Sequence, residues 1–520
     1  MTALLAAVDV GTGSARAGIF RPDGALLGRA EQPIETRRLS SVMAAQDSAR
    51  IWQACARALR GARAEAAAPR EAVRALAFDA TCSLAFRAAD GAPVGILPGE
   101  PARWDTILWL DHRAAAEAAE FTATGHPALR HLGGTMSPEM APPKLLWVKR
   151  HMPEAWTRTG RIHDLADFLA WQATGSGNRS RATLACKWCH LGEEGWPRDL
   201  FARVGLTDLL ENAGITAPPV PVGQPVGHLT PGAAAELDLP PGLPVGAGLV
   251  DAYAGALGVL GAERAGDVAL IAGTSTCLLT LAREARFVPA AWGPFADVVF
   301  PGTWALEVGQ SASGALLDRL LTPPGAMAPT PGLRERVMAR LRALRAATPD
   351  LAPELHVLPD FLGNRAPLGD PAARATITGL DLGGDLDSLC RLYWRTAVAL
   401  ALGLREMVAH LRAHGIGAER LLLAGGHGRD EMLTALYADA TGLPLVAPRG
   451  DPVLLGTAMA AGVAAGLFPD TRAAARAMGS EGQTRAPDPA RSGWLERDAR
   501  AFALLRRHRA ELEALLRAQG

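Results

Sequence analysis

The sequence predicts a two-lobed α/β protein, and three observations carry that expectation. The first is a strand–turn–strand unit near the N terminus. Ala3 to Val10 is an apolar run that reads as a buried strand; it ends in Gly11-Thr12-Gly13-Ser14 and resumes as Ala15 to Phe20. The second is a repeat of that arrangement in the other half: Asp267 to Ala272, then Gly273-Thr274-Ser275-Thr276, then Cys277 to Leu281. Repetition of a supersecondary unit points to two related lobes facing each other. The third is size, because 520 residues are too many for one hydrophobic core.

The elements follow in order. Pro22-Asp23-Gly24 supplies a turn, and Leu26 to Ala30 a returning strand. Asp47 to Ala66 carries apolar residues at helical spacing. Ala72 to Phe78 reads as a strand ending in Asp79-Ala80-Thr81-Cys82-Ser83. Ile107 to Leu110 reads as another, ending in Asp111-His112-Arg113 before an Ala/Glu-rich helix. Open α/β sheets place their ligands just past the C-terminal ends of strands, so these polar residues point to a pocket as well as to helix caps. Ser137-Pro138-Glu139-Met140 leads through Pro142-Pro143 into a helix at Lys144. Asp164 and Asp167 read as helix caps. Pro218 to Pro244, dense in proline and glycine, reads as the connection between domains.

In the second half, Trp304 to Ser313 precedes a helix and Ser388 to His414 is a long amphipathic helix. Leu421 to Ala424 is a strand broken by Gly425-Gly426, with Asp430 opening the next helix. Glycines there let a flat ligand approach the backbone. Gly479 to Gly493 is polar and reads as loop, and Leu495 to Leu516 closes the chain as a helix. The expected division is residues 1–245, residues 246–475, and a tail of 476–520.

Basic and acidic residues balance at 53 each, which gives no electrostatic grip on nucleic acid or a membrane surface. The longest apolar run, Val453 to Phe468, is too short to span a bilayer and is rich in Ala and Gly. No signal peptide opens the sequence, so a cytoplasmic location is expected. Six scattered cysteines do not make a disulfide framework. Cys186-Lys187-Trp188-Cys189-His190 spells the attachment pattern for c-type haem, but that chemistry requires export. Only Lys144, Lys149 and Lys187 are lysine among the 53 basic residues. Such lysines are candidates for places where a compact ammonium is needed and a guanidinium would not serve.

Asp251 is the most informative position. It is a lone carboxylate within Pro244 to Leu260, a run of glycines, alanines and aliphatics. An ionised Asp there is costly unless it is paired, hydrogen-bonded or lining a cavity. It reads either as a helix cap or, given the glycine–hydroxyl turns on both sides of it in sequence, as a general base between two phosphate-binding loops. Asp9, at the end of the first strand, is placed to hold a hydrated metal ion.

The motifs AVDVGTGSARAGIF, WLDHRA, PKLLWVK, GLVDAYAGALG, AGTSTCLL, GQSASG, GNRAPLGDP and LLLAGGHGRDEML occur in one order over nearly the whole chain. That ordered set resembles the FGGY carbohydrate kinases. DATCS, SPEM followed by PKLLW, CKWCH and EVGQSA resemble the ribulokinase branch, and within it the D-ribulokinase-like pentulose kinases. The resemblance implies an actin/Hsp70-like (ribonuclease-H-like) ATPase fold, two α/β lobes with a central cleft, the N-terminal lobe for sugar and the C-terminal lobe for ATP and Mg²⁺.

Carried over residue by residue, Asp251 matches the catalytic base. Thr12, Gly13 and Ser14 match the first phosphate turn; Gly273, Thr274 and Ser275 match the second. Asp9 matches the carboxylate near the metal, reached through water. Gly425 and Gly426 match the adenosine-binding glycines, with Asp430 following where relatives often carry Asn. Lys187 and Glu307 would contact the sugar, with Thr81, Asp111 and Glu139 near it. Ala141 departs from the Ser, Thr or Pro often seen three residues before the lysine of K-x-x-W.

The expected reaction is ATP-dependent phosphorylation of a ketopentose at its terminal hydroxyl, with D-ribulose favoured. Same-family alternatives are L-ribulose, D-xylulose, ribitol and glycerol. An actin- or chaperone-type nucleotide-driven binding protein would keep the phosphate turns but have no use for the Asp111, Glu139 and Lys187 set. Family habit adds a homodimer.

Overall fold

A computed structural model describes residues 3–261, 263–323, 325–326, 329–479 and 482–517. The chain divides into two compact units. The first comprises residues 1–264, 279–307 and 448–481; the second comprises 265–278, 308–447 and 482–520.

The first unit is built on β1 (Leu4–Val10), β2 (Ser14–Phe20), β3 (Leu26–Pro33), β4 (Val73–Ala80), β5 (Pro225–His228) and β6 (Pro244–Val250). Their spatial order is β5-β6-β4-β1-β2-β3. β4 runs parallel to both β1 and β6, whereas β1, β2 and β3 form an antiparallel meander. Every residue of β1 is buried. A strand paired on both edges and covered on both faces needs a continuous apolar run, and that run carries Asp9 into the interior.

The helix Ser48–Glu65 packs on β2 and β3 and is capped by Asp47, which accepts from the Ala49 and Arg50 N–H groups. The helix Pro452–Ala464 is buried at every residue. It packs on β1, β4 and β6 and against the helix Asp251–Val259. Gly258 and Gly456 set that helix pair. A methyl at Gly258 would strike the Pro452 carbonyl, and one at Gly456 the Ala254 carbonyl. The Ala/Gly richness of this stretch is thus a packing requirement of the helix that carries Asp251. A second sheet of the unit, with strands Ala44–Gln46, Thr106–Ile107, Leu84–Ala88 and Thr159–Asp164 among its five, leads into the loop of residues 108–113.

The second unit carries β7 (Asp267–Ala272), β8 (Arg420–Ala424), β9 (Leu445–Pro448) and β10 (Gly482–Arg485) in that spatial order. β8 is parallel to both β7 and β9. In each unit a strand that ends in a glycine–hydroxyl turn lies parallel to a later strand that also ends in a loop of the site. The helix Leu386–Ala413, capped by Asp385, packs against the helix Glu431–Thr441.

Asp164 holds the cap position of the helix Leu165–Thr174 without a side-chain cap bond, and Asp167 lies in its first turn and accepts from Ser180 and Thr183, so neither caps it as expected. Three longer stretches also differ from the reading of the sequence. The strand expected over Ile107 to Leu110 is only Thr106–Ile107, because the carbonyls of Leu108 and Trp109 turn to accept from the Lys144 ammonium at 2.7 and 2.8 Å. Pro218 to Pro244 is no bare connection: it holds β5 and the helix Pro231–Leu237 inside the first unit. Its prolines sit where an edge strand and a helix start tolerate them. Gly479 to Gly493 contributes β10 as an edge strand, residues 480 and 481 lying outside those described. Among the described residues no helix is long and apolar enough to cross a membrane.

Candidate active site

The parallel pairing of β1 with β4 brings Asp9 opposite Asp79, both fully buried. The Arg16 guanidinium, projecting from β2, contacts the Asp9 carboxylate, and the Thr457 hydroxyl donates to Asp79. Burial dominates over Arg16 and raises Asp9 to about 6, with the negative charges of Asp451 and Asp251 adding to the rise. Asp79 is raised well above the usual carboxylate range by burial and then by Asp9.

Asp251 follows β6 directly and is the first residue of the helix Asp251–Val259. Val250 occupies the cap position, and the Asp251 Oδ1 accepts the Ala252 N–H at 2.8 Å. Asp251 is therefore not the cap itself but the first helical residue, at a helix start on the C-terminal end of a sheet strand. Its pKa is raised. Burial is the leading cause and prevails over the Ala252 N–H, Lys187 and Arg16, all of which favour the charged form.

Lys187 lies at the end of the helix Arg181–Trp188, which Ser180 caps and which stops at Cys189 in a left-handed conformation with φ 66°. Its ammonium sits 4.1 Å from the centroid of the Trp292 ring. Trp292 is the cross-strand partner of Glu307, and Glu307 accepts from the Tyr253 hydroxyl at 3.1 Å. Lys187 and Glu307 are both buried, and both act electrostatically on Asp251. The first unit thus groups Asp251, Lys187 and Glu307.

Asp111 and Glu139 belong to an adjoining cluster. Asp111 accepts from Ala44 N–H and from the Arg113 backbone and guanidinium, at 2.7–3.0 Å. His112 Nε2 lies 3.9 Å from Glu139 Oε1. Lys144, buried and lowered to about 8 chiefly by desolvation, feels both carboxylates. Cys82 feels both Lys144 and Lys187, which places residues 81–83 between the clusters. Thr81 exchanges a hydrogen bond with Ser83 at 3.0 Å, and its N–H reaches the Val10 carbonyl. Lys149 stands apart, paired with Asp208.

The two turns are closed alike: Gly11 N–H donates to Ser14 O, and Gly273 N–H donates to Ser275 O. In the first, the Thr12 hydroxyl accepts from Trp109 Nε1 at 3.0 Å and the Ser14 hydroxyl donates to Glu31 at 2.7 Å. In the second, the end of GQSASG and the residue after it brace the turn: Ser313 and Ala315 N–H groups donate to Thr274 O, and the Gly314 N–H to Gly273 O. A Cβ at Gly13, Gly273 or Gly426 would meet nothing within 4 Å, so each backbone borders open space. Gly425, at φ +98°, has no such room; a Cβ there would stand 2.5 Å from Ala272 O. Asp430 caps the helix Glu431–Thr441, accepting from Met432 and Leu433 N–H.

Comparison with known proteins identifies the class. Residues 4–258 match the N-terminal domain of the FGGY family of carbohydrate kinases, and residues 268–465 match its C-terminal domain. The chain belongs to that family and is a carbohydrate kinase, an enzyme class that uses ATP. A D-ribulokinase of Saccharomyces cerevisiae is 32% identical, covering 89% of this chain and 72% of that one. An FGGY carbohydrate kinase domain-containing protein of Danio rerio is 38% identical, covering 98% of both. Among solved structures, a xylulose kinase from Rhodospirillum rubrum is 25% identical at a TM-score of 0.75, covering 96% of this chain and 98% of that one. The two-domain actin/Hsp70-like, ribonuclease-H-like fold expected from the sequence is therefore the fold of this protein.

Several residues around these groups were not singled out from the sequence. Arg16 stands against Asp9 and Thr457 against Asp79, and Tyr253 and Trp292 hold Glu307 and Lys187. Asp79 itself was marked in the sequence as a strand-end polar residue pointing to a pocket. Trp292 and Thr457 carried no such signal, since only folding brings them near.

Proposed function

We propose that this kinase phosphorylates the terminal hydroxyl of a ketopentose, D-ribulose before others, with Asp251 as general base. The observation that carries the reading is the buried grouping of Asp251, Lys187 and Glu307 where β6 ends. Similarity to a D-ribulokinase over most of the chain supports D-ribulose. In this reading residues 1–245 serve mostly the sugar, residues 246–475 mostly ATP, and 476–520 close the chain.

Asp251 accepts the proton of the sugar's terminal O–H. The oxygen forms its bond to the γ-phosphorus as the bond from that phosphorus to the β–γ bridging oxygen breaks, and ADP leaves. The raised pKa of Asp251 makes it a better proton acceptor than an exposed carboxylate. Lys187 and Glu307 orient the polyol, with Thr81, Asp111 and Glu139 bounding its site. Thr12, Gly13 and Ser14, and in the second unit Gly273, Thr274 and Ser275, offer backbone N–H groups to phosphate oxygens. Gly425 and Gly426 border the adenosine, and Asp430 fixes the helix that follows them.

Magnesium is held by one or two carboxylates and substrate phosphates rather than by an all-protein cage. Among the described residues no cluster of three His, Cys, Asp or Glu side chains forms such a cage. Asp9, buried beside Arg16 and among the charges of Asp79, Asp251 and Asp451, fits that light ligation. When bound, the ion would neutralise phosphate charge.

D-xylulose is the second reading, favoured by the likeness to a xylulose kinase structure at 25% identity. An ADP-coupled screen over D-ribulose, L-ribulose, D-xylulose, ribitol and glycerol tests both. The highest kcat/KM is expected with D-ribulose; a clear preference for ribitol or glycerol would overturn the pentulose reading.

A further inference from the structure

Tyr253 is fully buried and stands two residues past Asp251, in the first turn of the same helix. A buried phenol needs a partner for its O–H. Here the partner is a carboxylate: the hydroxyl donates to Glu307 Oε2 at 3.1 Å. The buried Cys186 thiol, immediately before Lys187, acts electrostatically on the same phenol. On the paired strands, Trp292 lies opposite Glu307 and carries the Lys187 ammonium over its ring. The phenol therefore ties the helix of the proposed base to the strand of Glu307, whose cross-strand partner Trp292 carries Lys187.

We infer that Tyr253 is a specificity-determining positioning residue, which fixes the direction of the Glu307 carboxylate so that the sugar's hydroxyl pattern is read against a side chain that cannot swing. The inference rests on the reading of Glu307 as a sugar contact. A carboxylate on a flexible side chain would accept from either epimer of a pentulose hydroxyl by rotating. One held by a charge-assisted hydrogen bond discriminates between them, because the wrong epimer leaves polar groups unpaired. The placement of Tyr253 beside Asp251 also means that a shift of Glu307 on sugar binding is felt at the start of the base's helix.

Tyr253→Phe removes only the oxygen. The expected result is a rise of about tenfold in sugar KM, with the preference between epimeric pentuloses reduced by a similar factor and the ATP KM unmoved. An unchanged sugar KM and epimer ratio would overturn the inference. In a Glu307→Gln background the same change is expected to add less than about twofold, since its effect runs through that carboxylate. Full additivity would overturn it. If Glu307→Gln alone leaves the sugar KM unaltered, it is the sugar-contact reading that fails. Because the chain has only 3 tyrosines, fluorotyrosine labelling gives a readout that keeps the hydroxyl and the fold. The Tyr253 ¹⁹F resonance, assigned by Tyr393→Phe and Tyr437→Phe, is expected to move on adding the sugar and to stay put on adding ADP. No response to sugar would count against the inference.

Discussion

Asp9 and Asp79 stand opposite one another on parallel strands β1 and β4, both fully buried, with the Arg16 guanidinium against Asp9 and the Thr457 hydroxyl against Asp79. Two carboxylates beside one guanidinium are costly in an interior, and burial drives the pKa of each upward. A fold does not need this arrangement for stability, since apolar strand ends would pack more cheaply. The pair is explicable as site chemistry at the mouth of the first glycine turn.

Asp251→Asn should separate chemistry from binding. If the carboxylate takes the sugar proton, kcat falls by about 10²–10⁴-fold, the range general-base catalysis contributes. The nucleotide KM should change little, because none of the turn residues is altered. Asparagine can still accept the Ala252 N–H through its carbonyl, so the helix start survives. Coupled assays with calorimetric titration of ADP measure both halves; a loss of fivefold or less in kcat would remove Asp251 as base.

Much of the candidate site was legible because it lies where strands end. Thr12 to Ser14, Gly273 to Ser275 and Gly425-Gly426 are glycine-marked breaks in apolar runs, and a run with a break is visible in one dimension. Asp251 was visible for the opposite reason, as a charge where an apolar residue was due. What was not legible depended on distant segments meeting. Trp292 reaches Lys187 from more than a hundred positions away, and Thr457 donates to Asp79 across 378 residues. The loop of Leu108 and Trp109 was misread as strand because the ammonium that bends it, Lys144, belongs to a later helix. Pro218 to Pro244 misled through composition: proline marks edge strands and helix starts as well as linkers.

Gly425 and Gly426 should fail in different ways. Gly425→Ala forces a side chain into φ +98° with its Cβ 2.5 Å from Ala272 O. A cost of about 1–3 kcal/mol is expected, seen as a lowered Tm. Gly426→Ala meets no atom within 4 Å and should keep the wild-type Tm. If the nucleotide fills that space, its ATP KM rises several-fold while the sugar KM holds. An unchanged ATP KM in Gly426→Ala would mean that the adenosine lies elsewhere.

Lys144 makes stability depend on pH on the alkaline side. Burial lowers its pKa from 10.5 to about 8, so the folded state gives up this proton before the unfolded chain does. Between about 8 and 10.5 the unfolded state binds more protons, and the contribution of this group to stability rises with pH across that window. Lys144→Met should abolish that rise. It should also cost about 2–4 kcal/mol at neutral pH, because the Leu108 and Trp109 carbonyls lose their donor. Denaturant titrations from pH 7 to 10 on both proteins give the comparison; parallel curves would show that Lys144 does not titrate there.

Asp79→Asn tests the buried carboxylate pair itself. With its folded pKa above the ordinary 3.8, Asp79 is harder to ionise in the fold than in the unfolded chain. Its cost is therefore absent below the ordinary value, grows as pH rises through the window between the two, and is fully present above the raised value. Asparagine carries no such cost and still offers an oxygen to the Thr457 hydroxyl. The variant should be more stable than wild type at pH 8 by about 1–3 kcal/mol, the gap narrowing toward pH 4. Urea titrations at pH 5 and pH 8 decide the point. A variant less stable than wild type at pH 8 would mean that the pair is held by contacts that offset its desolvation, and that burial does not govern this end of the sheet.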